Sequence, residues 1–217
     1  MLNKTQLTIM LELQNKMNVK VNPEWLNAGY AYLRAAMIES VEAIEHHGWK
    51  WWKAQSLDLA QVQMELVDIW HFSLSHILIE HKGDIETASQ DISQQLSENN
   101  TTLVFDGQTY LYKQHSLVEN LELMAGLCVA KRFDVLLFTT IVEQAAMDAG
   151  TLFEQYVGKN VLNFFRQDHG YKSGEYIKIW HEREDNEHLV DIMSGLDSST
   201  LDYAESLYQR LEHRYPG

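Results

Sequence analysis

The 217-residue chain has one cysteine and two prolines, so no disulfide can form within it and little interrupts a helix. The lone thiol, Cys128, fits a reducing compartment. Basic residues are also scarce: 17 Lys and Arg stand against 31 Asp and Glu, a formal net charge of -14. That balance repels polynucleotide backbones and anionic membranes, so neither is expected as a partner. Long apolar runs are missing, and the opening stretch MLNKTQLTIMLELQNK breaks its apolar residues with charges and amides, unlike a signal peptide or a membrane span. A cytoplasmic protein is expected. Apolar residues, in contrast, make up 45% of the chain and aromatics 11%, enough to build a sizeable core.

Those apolar residues recur at helical spacing with little β-branched alternation, which predicts an all-α fold, a helical bundle in a single domain over 1–217. Helices are expected over 5–17, 23–47, 58–81, 83–96, 116–131, 134–148, 150–165 and 199–213. In the second, Leu26, Tyr30, Leu33, Met37, Val41 and Ile44 mark the side to be buried. Gly48 is expected to end it, followed by the turn Trp49-Lys50-Trp51-Trp52-Lys53. Asp106-Gly107 between apolar triplets permits either a short hairpin or an irregular connection. Residues 167–174 read as a loop, and Glu182 to Glu187 as a solvated charge run.

Two carboxylate doublets, Glu39-Ser-Val-Glu42 and Glu65-Leu-Val-Asp68, fall on the second and third of these helices. Spacing i, i+3 puts each doublet on one helix face. A glutamate on a helix is usually just solvated, but both doublets sit among apolar neighbours, and no Lys or Arg lies between Arg34 and Lys50. If the helices run antiparallel with these faces opposed, four carboxylates converge, which requires neutralising cations. A di-iron bundle needs a Glu-x-x-His on each of two helices, and only Asp68-Ile-Trp-His71 approximates one. An all-oxygen set favours magnesium, with manganese as a substitute, and those ions recruit phosphate oxygens.

A phosphate chain also needs protein cations. Lys159, Asn163 and Arg166 share a helical face at i, i+4 and i+7, and Lys172 and Lys178 follow. The alternative for this stripe is a solvated cationic helix end favoured by the macrodipole. Trp49, Trp51 and Trp52 suit either a helix corner or a base pocket, and Lys50 and Lys53 beside them make phosphate contact possible. The histidines form no zinc-binding spacing, which leaves them structural, with His71 notable one turn beyond Asp68.

The ordered set Leu11-Glu-Leu-Gln14-Asn-Lys-Met-Asn18, Glu39-x-x-Glu42, Trp49-Lys-Trp-Trp-Lys53, Glu65-Leu-Val-Asp68-Ile-Trp-His-Phe72 and Asn163-Phe-Phe-Arg166-Gln-Asp-His-Gly-Tyr171-Lys172 resembles the dimeric all-α dUTP diphosphatases. These are a branch of the all-α nucleoside triphosphate pyrophosphohydrolases. The resemblance implies magnesium-dependent hydrolysis of dUTP and dUDP to dUMP by an intertwined or packed homodimer with sites at the subunit interface, limiting uracil in DNA. It implies that Glu39, Glu42, Glu65 and Asp68 hold the metal, with Glu39 activating water. Lys159, Asn163, Arg166, Tyr171, Lys178 and Lys53 would meet phosphates. Gln14 and Asn18 would read uracil, with Trp52, His71 and Phe72 about the base and sugar. Residues 84–113 match no motif and are expected to include a segment that moves over the substrate. Two other readings stand beside this one: a relative acting on dCTP or damaged deoxynucleotides, and a non-catalytic helical interaction protein.

Overall fold

The computed structural model describes residues 2–98, 100–197, 200 and 202–217. The helices are α1 (Lys4–Val21), α2 (Tyr32–His47), α3 (Leu59–Glu80), α4 (Ile85–Ser97), α5 (Leu117–Val129), α6 (Val135–Gln144), α7 (Ala149–Asp168), α8 (Asp185–Met193) and α9 (Tyr203–Arg214). Aspartates at 58, 84, 134 and 148 accept from the backbone N–H three residues on, capping α3, α4, α6 and α7. Two small hairpins complete the chain: β1 (Thr102–Phe105) with β2 (Gln108–Leu111), and β3 (Ile179–Trp180) with β4 (Arg183–Glu184). The Asp106-Gly107 turn therefore makes a hairpin, with both residues at positive φ. No helix among the described residues is long and apolar enough to cross a membrane.

The main core is built from α1 and α3 together with residues of α2, α4, α5, α6 and the first half of α7. Leu7, Met10, Leu11, Leu66, Ile69 and Leu74 are fully buried. Trp70 stacks on Phe138 at 4.8 Å, and its indole N–H points at Met10 Sδ. A second cluster lies on the C-terminal half of α7, where Val161, Leu162 and Phe165 pack against Trp180, Leu189, Ile192, Leu207 and Leu211. Gly158 admits α8 to this contact, because a Cβ there would fall 2.5 Å from Met193 Sδ. α7 thus runs through both clusters, and the middle of its length faces the cleft described below.

Four expectations need correction. α2 starts at Tyr32 rather than near Pro23, because Gly29 at φ +68 breaks the chain after the short 3-10 turn Trp25–Asn27. On that helix Val41 is half exposed, as is Tyr30 just before it, so the buried stripe is Leu33, Ala36, Ser40 and Ala43. The 182–187 run is not solvated throughout: Asp185 opens α8 and is completely buried. Finally, α7 continues to Asp168, so the loop begins later than expected. The expected start of the last helix at Ser199 lies outside the described residues, and the helix is seen from Tyr203.

Candidate active site

α2 and α3 pack closely. Asp58 N–H donates to His46 C=O, His46 Nε2 lies 3.4 Å from Glu65, and Glu39 senses Asp68, so residue numbers rise on one helix as they fall on the other. The pair is antiparallel, with the two doublets facing. Gly48 in the left-handed region ends α2 and lets the 48–58 connection turn back. Glu39, Glu42 and Glu65 bring one oxygen each to within 4.8 Å of one another. Asp68 stands beside them but its Oδ2 is paired with Lys159 Nζ at 2.8 Å. The doublets that lack a basic neighbour in sequence have one in space, delivered by α7.

Crowding three carboxylates has an electrostatic consequence. Burial, followed by the charges of Asp68, Glu65 and Glu42, pushes the Glu39 carboxyl up to about 8. Burial and then Asp68 also raise Glu65, which accepts a proton bond from Glu39, while Lys159 opposes that rise. A cluster that holds a proton this tightly has an excess of negative charge for its surroundings. All-oxygen donors, incompletely neutralised and within a few ångströms of one another, fit a hard divalent cation.

Two connected cavities of about 560 Å³ each share Glu39, Asp68, Lys159, Arg166 and Tyr171. The first is the charged half: it adds Glu42, His46, Gln61, Glu65, Lys178 and Asn186. The second adds Gln14, Asn18, Tyr32, His71, Phe72 and Asn163. Gln14 Nε2 donates to Asn18 Oδ1 and Asn18 Nδ2 to Ser75 Oγ, so the two buried amides are held in a fixed chain. His71 stacks on Tyr156 at 4.1 Å. Its Nδ1 lies 2.8 Å from Val67 C=O, which can only accept, so Nδ1 carries the proton and Nε2 is a bare acceptor. Burial lowers the His71 pKa to about 4, outweighing the opposing Asp68 charge, and Nε2 has no hydrogen-bond partner among the described residues.

The cations are anchored rather than free. Lys159 is buried and donates to Asn186 as well as to Asp68. Arg166 forks onto Asp185 through Nε and Nη2 at 2.7 and 2.8 Å and donates from Nη1 to Asn163. Lys178 pairs with Glu184 at 3.1 Å on the surface. Lys53 and Trp52 line neither cavity; both are exposed in the 48–58 connection. No described residue of 84–113 lines them either. Asn186, His46 and Gln61 line the cleft, and Asp185 is fully buried and bound to Arg166; none of the four was expected as a site residue from sequence. For Asp185 and Asn186 a signal existed: Glu184 and Glu187 form a capping box that opens α8.

A helical bundle that sets a carboxylate cluster against lysine and arginine across one cleft fits the class of all-α enzymes that act on phosphorylated substrates. The model of an all-α dUTPase family matches residues 6–171, and the chain belongs to that family: it is a dUTP diphosphatase acting on a deoxyuridine nucleotide. A search of curated proteins finds no match to the chain.

Proposed function

We propose that the enzyme converts dUTP, and also dUDP, to dUMP with magnesium held by Glu39, Glu42, Glu65 and Asp68, keeping uracil out of DNA in the cytoplasm. The observation that carries this reading is the convergence of Glu39, Glu42 and Glu65 opposite Lys159 and Arg166 in one cavity. Bound there, magnesium would neutralise the phosphate chain and lower the pKa of a coordinated water. With the cation neutralising the cluster, Glu39 would be ionised, and its carboxylate is placed to orient that water and take its proton. Cleavage between the α and β phosphates releases pyrophosphate from dUTP or phosphate from dUDP. Lys159, Asn163, Arg166, Tyr171 and Lys178 hold the phosphate oxygens, with Lys53 reaching them from the exposed 48–58 connection.

In the less charged half, the amides of Gln14 and Asn18 pair with the imide edge of uracil. His71 Nε2, a neutral acceptor, receives a hydrogen bond from a hydroxyl of the deoxyribose while Phe72 covers an apolar face of the sugar, with Trp52 reaching the site from the 48–58 connection. The test is a nucleotide panel with magnesium. Turnover of dUTP is expected to exceed that of dCTP by about 100-fold, since cytosine presents an amine and a bare ring nitrogen where uracil presents a carbonyl and an N–H, and paired amides set for one edge reject the other. Equal rates on dUTP and dCTP sink the base assignment, and inert dUDP sinks the second substrate.

A homodimer completes this reading. Ile38 and Val41 are about half exposed on α2, and Trp49, Trp51, Trp52 and Leu57 after it are exposed as well. A patch of that kind marks an interface in a soluble protein. Val41→Asp is expected to convert a sedimenting dimer to monomer; a wild-type monomer at tens of micromolar contradicts the assembly.

A further inference from the structure

Arg166 lines both halves of the cleft, so its orientation matters to any phosphate that spans them. Free arginine side chains sample many rotamers, but this one has four of its five N–H donors engaged: Nε and Nη2 on Asp185, a second Nη2 bond to Asn186 at 3.3 Å, and Nη1 on Asn163. Among the described residues, one Nη1 N–H is left for a ligand. The carboxylate opposite is equally committed. Its oxygens accept from Arg166 twice, from Tyr176 Oη at 2.9 Å and from the Asn186 backbone N–H at 2.9 Å. Asp185 is fully buried. It lies beyond the stretch 6–171 matched by the family model, on a helix held to α7 by the Trp180, Leu189 and Ile192 cluster.

We propose that Asp185 is a positioning residue for the reaction: it fixes the plane of the Arg166 guanidinium so that the remaining Nη1 edge meets the phosphate chain without reorganisation. The proposal rests on the reading above that Arg166 holds phosphate. Burial alone would raise the Asp185 carboxyl, yet the Arg166 and Tyr176 bonds outweigh it and hold the group below its ordinary range, so it is anionic in use. An anion beside a phosphate-binding cation opposes phosphate by simple electrostatics. Its presence makes sense as geometry, ordering the guanidinium before the substrate arrives.

The two effects have opposite signs in Asp185→Asn. Loss of the negative charge alone tightens phosphate binding, whereas loss of orientation weakens it. The measurement is the affinity of the magnesium-loaded protein for α,β-imido-dUTP and for deoxyuridine, which has no phosphates. Asp185→Asn is expected to weaken the imido analogue about 10-fold and leave deoxyuridine unchanged. Unchanged or tighter analogue binding overturns the proposal, as does an equal loss for both ligands, which is the mark of general damage. If Asp185→Asn does not fold, Tyr176→Phe decides: it removes one bond to the same carboxylate and leaves Arg166 intact. A loss of about 2-fold confined to the analogue is expected, and no loss overturns the idea. Arg166→Lys in the same assay separates the two levels. If it has no effect, the phosphate role of Arg166 fails; if it weakens the analogue while Asp185→Asn does not, only the positioning role fails.

Discussion

Replacing Glu39 or Glu65 by glutamine is expected to lower dUTP turnover by about 1,000-fold while raising the melting temperature of the metal-free protein. The two effects have one origin. A neutral amide is a poor ligand for a hard cation and, at Glu39, cannot take a proton from water. The same change removes repulsion that burdens the fold when no cation is bound. Glu39 in the folded protein titrates near 8 against an ordinary value of 4.5, so between these limits the folded form holds a proton that the unfolded chain has released. Stability of the metal-free enzyme therefore declines as pH rises through this window. Solvent reaches Glu39 and Glu42 and screens part of the repulsion, which keeps the expected shift to a few degrees. Thermal melts in a chelator from pH 5 to 8.5 check this, with Glu39→Gln flattening the slope. Near-normal turnover in both variants, or a wild-type protein that gains stability across the window, contradicts the assignment.

Arg166→Ala carries the largest expected loss of stability. It leaves the fully buried Asp185 carboxylate without its counter-ion, and breaking such a pair from one side costs about 3–5 kcal/mol. For a chain of this size that corresponds to a melting temperature lower by roughly 10 °C. Lys178→Ala is the internal comparison. Its partner Glu184 is about half exposed, so its removal is expected to cost under about 1 kcal/mol. Equal effects of the two substitutions would show that the burial of Asp185 does not govern this region.

The contrast explains what sequence could and could not reveal. The antiparallel α2 and α3, with opposed doublets, follow from i, i+3 spacing and from Gly48, all of it local information. Asp106-Gly107 left a hairpin and an irregular connection both open, and the pairing of β1 with β2 decides for the hairpin. Where contacts are long range, sequence is silent. Glu39 and its neighbours looked unpartnered because Lys159 is far along the chain, and only the folding of α7 onto α3 joins it to Asp68. Asp185 looked solvated because its neighbours Glu184 and Glu187 are, and its burial is decided by the packing of Trp180 and Leu189 on Phe165. Val41 illustrates the converse. Its periodicity is that of a buried face, yet it stands half exposed, because the helix turns Leu33, Ala36, Ser40 and Ala43 inward instead. Composition explains the remaining misreading, since Pro23 can open a helix but Gly29 interrupts it six residues later.

The central claim is that carboxylates and cations act as two parts of one site, joined by a metal and a phosphate chain. Calorimetric titration of magnesium into the protein, with and without α,β-imido-dUTP, tests it most directly. The expected result is magnesium binding that tightens at least about 10-fold when the analogue is present, by linkage between the two ligands, and that disappears in Glu39→Gln. Magnesium affinity that is the same with and without the analogue, or that survives in Glu39→Gln, would contradict it.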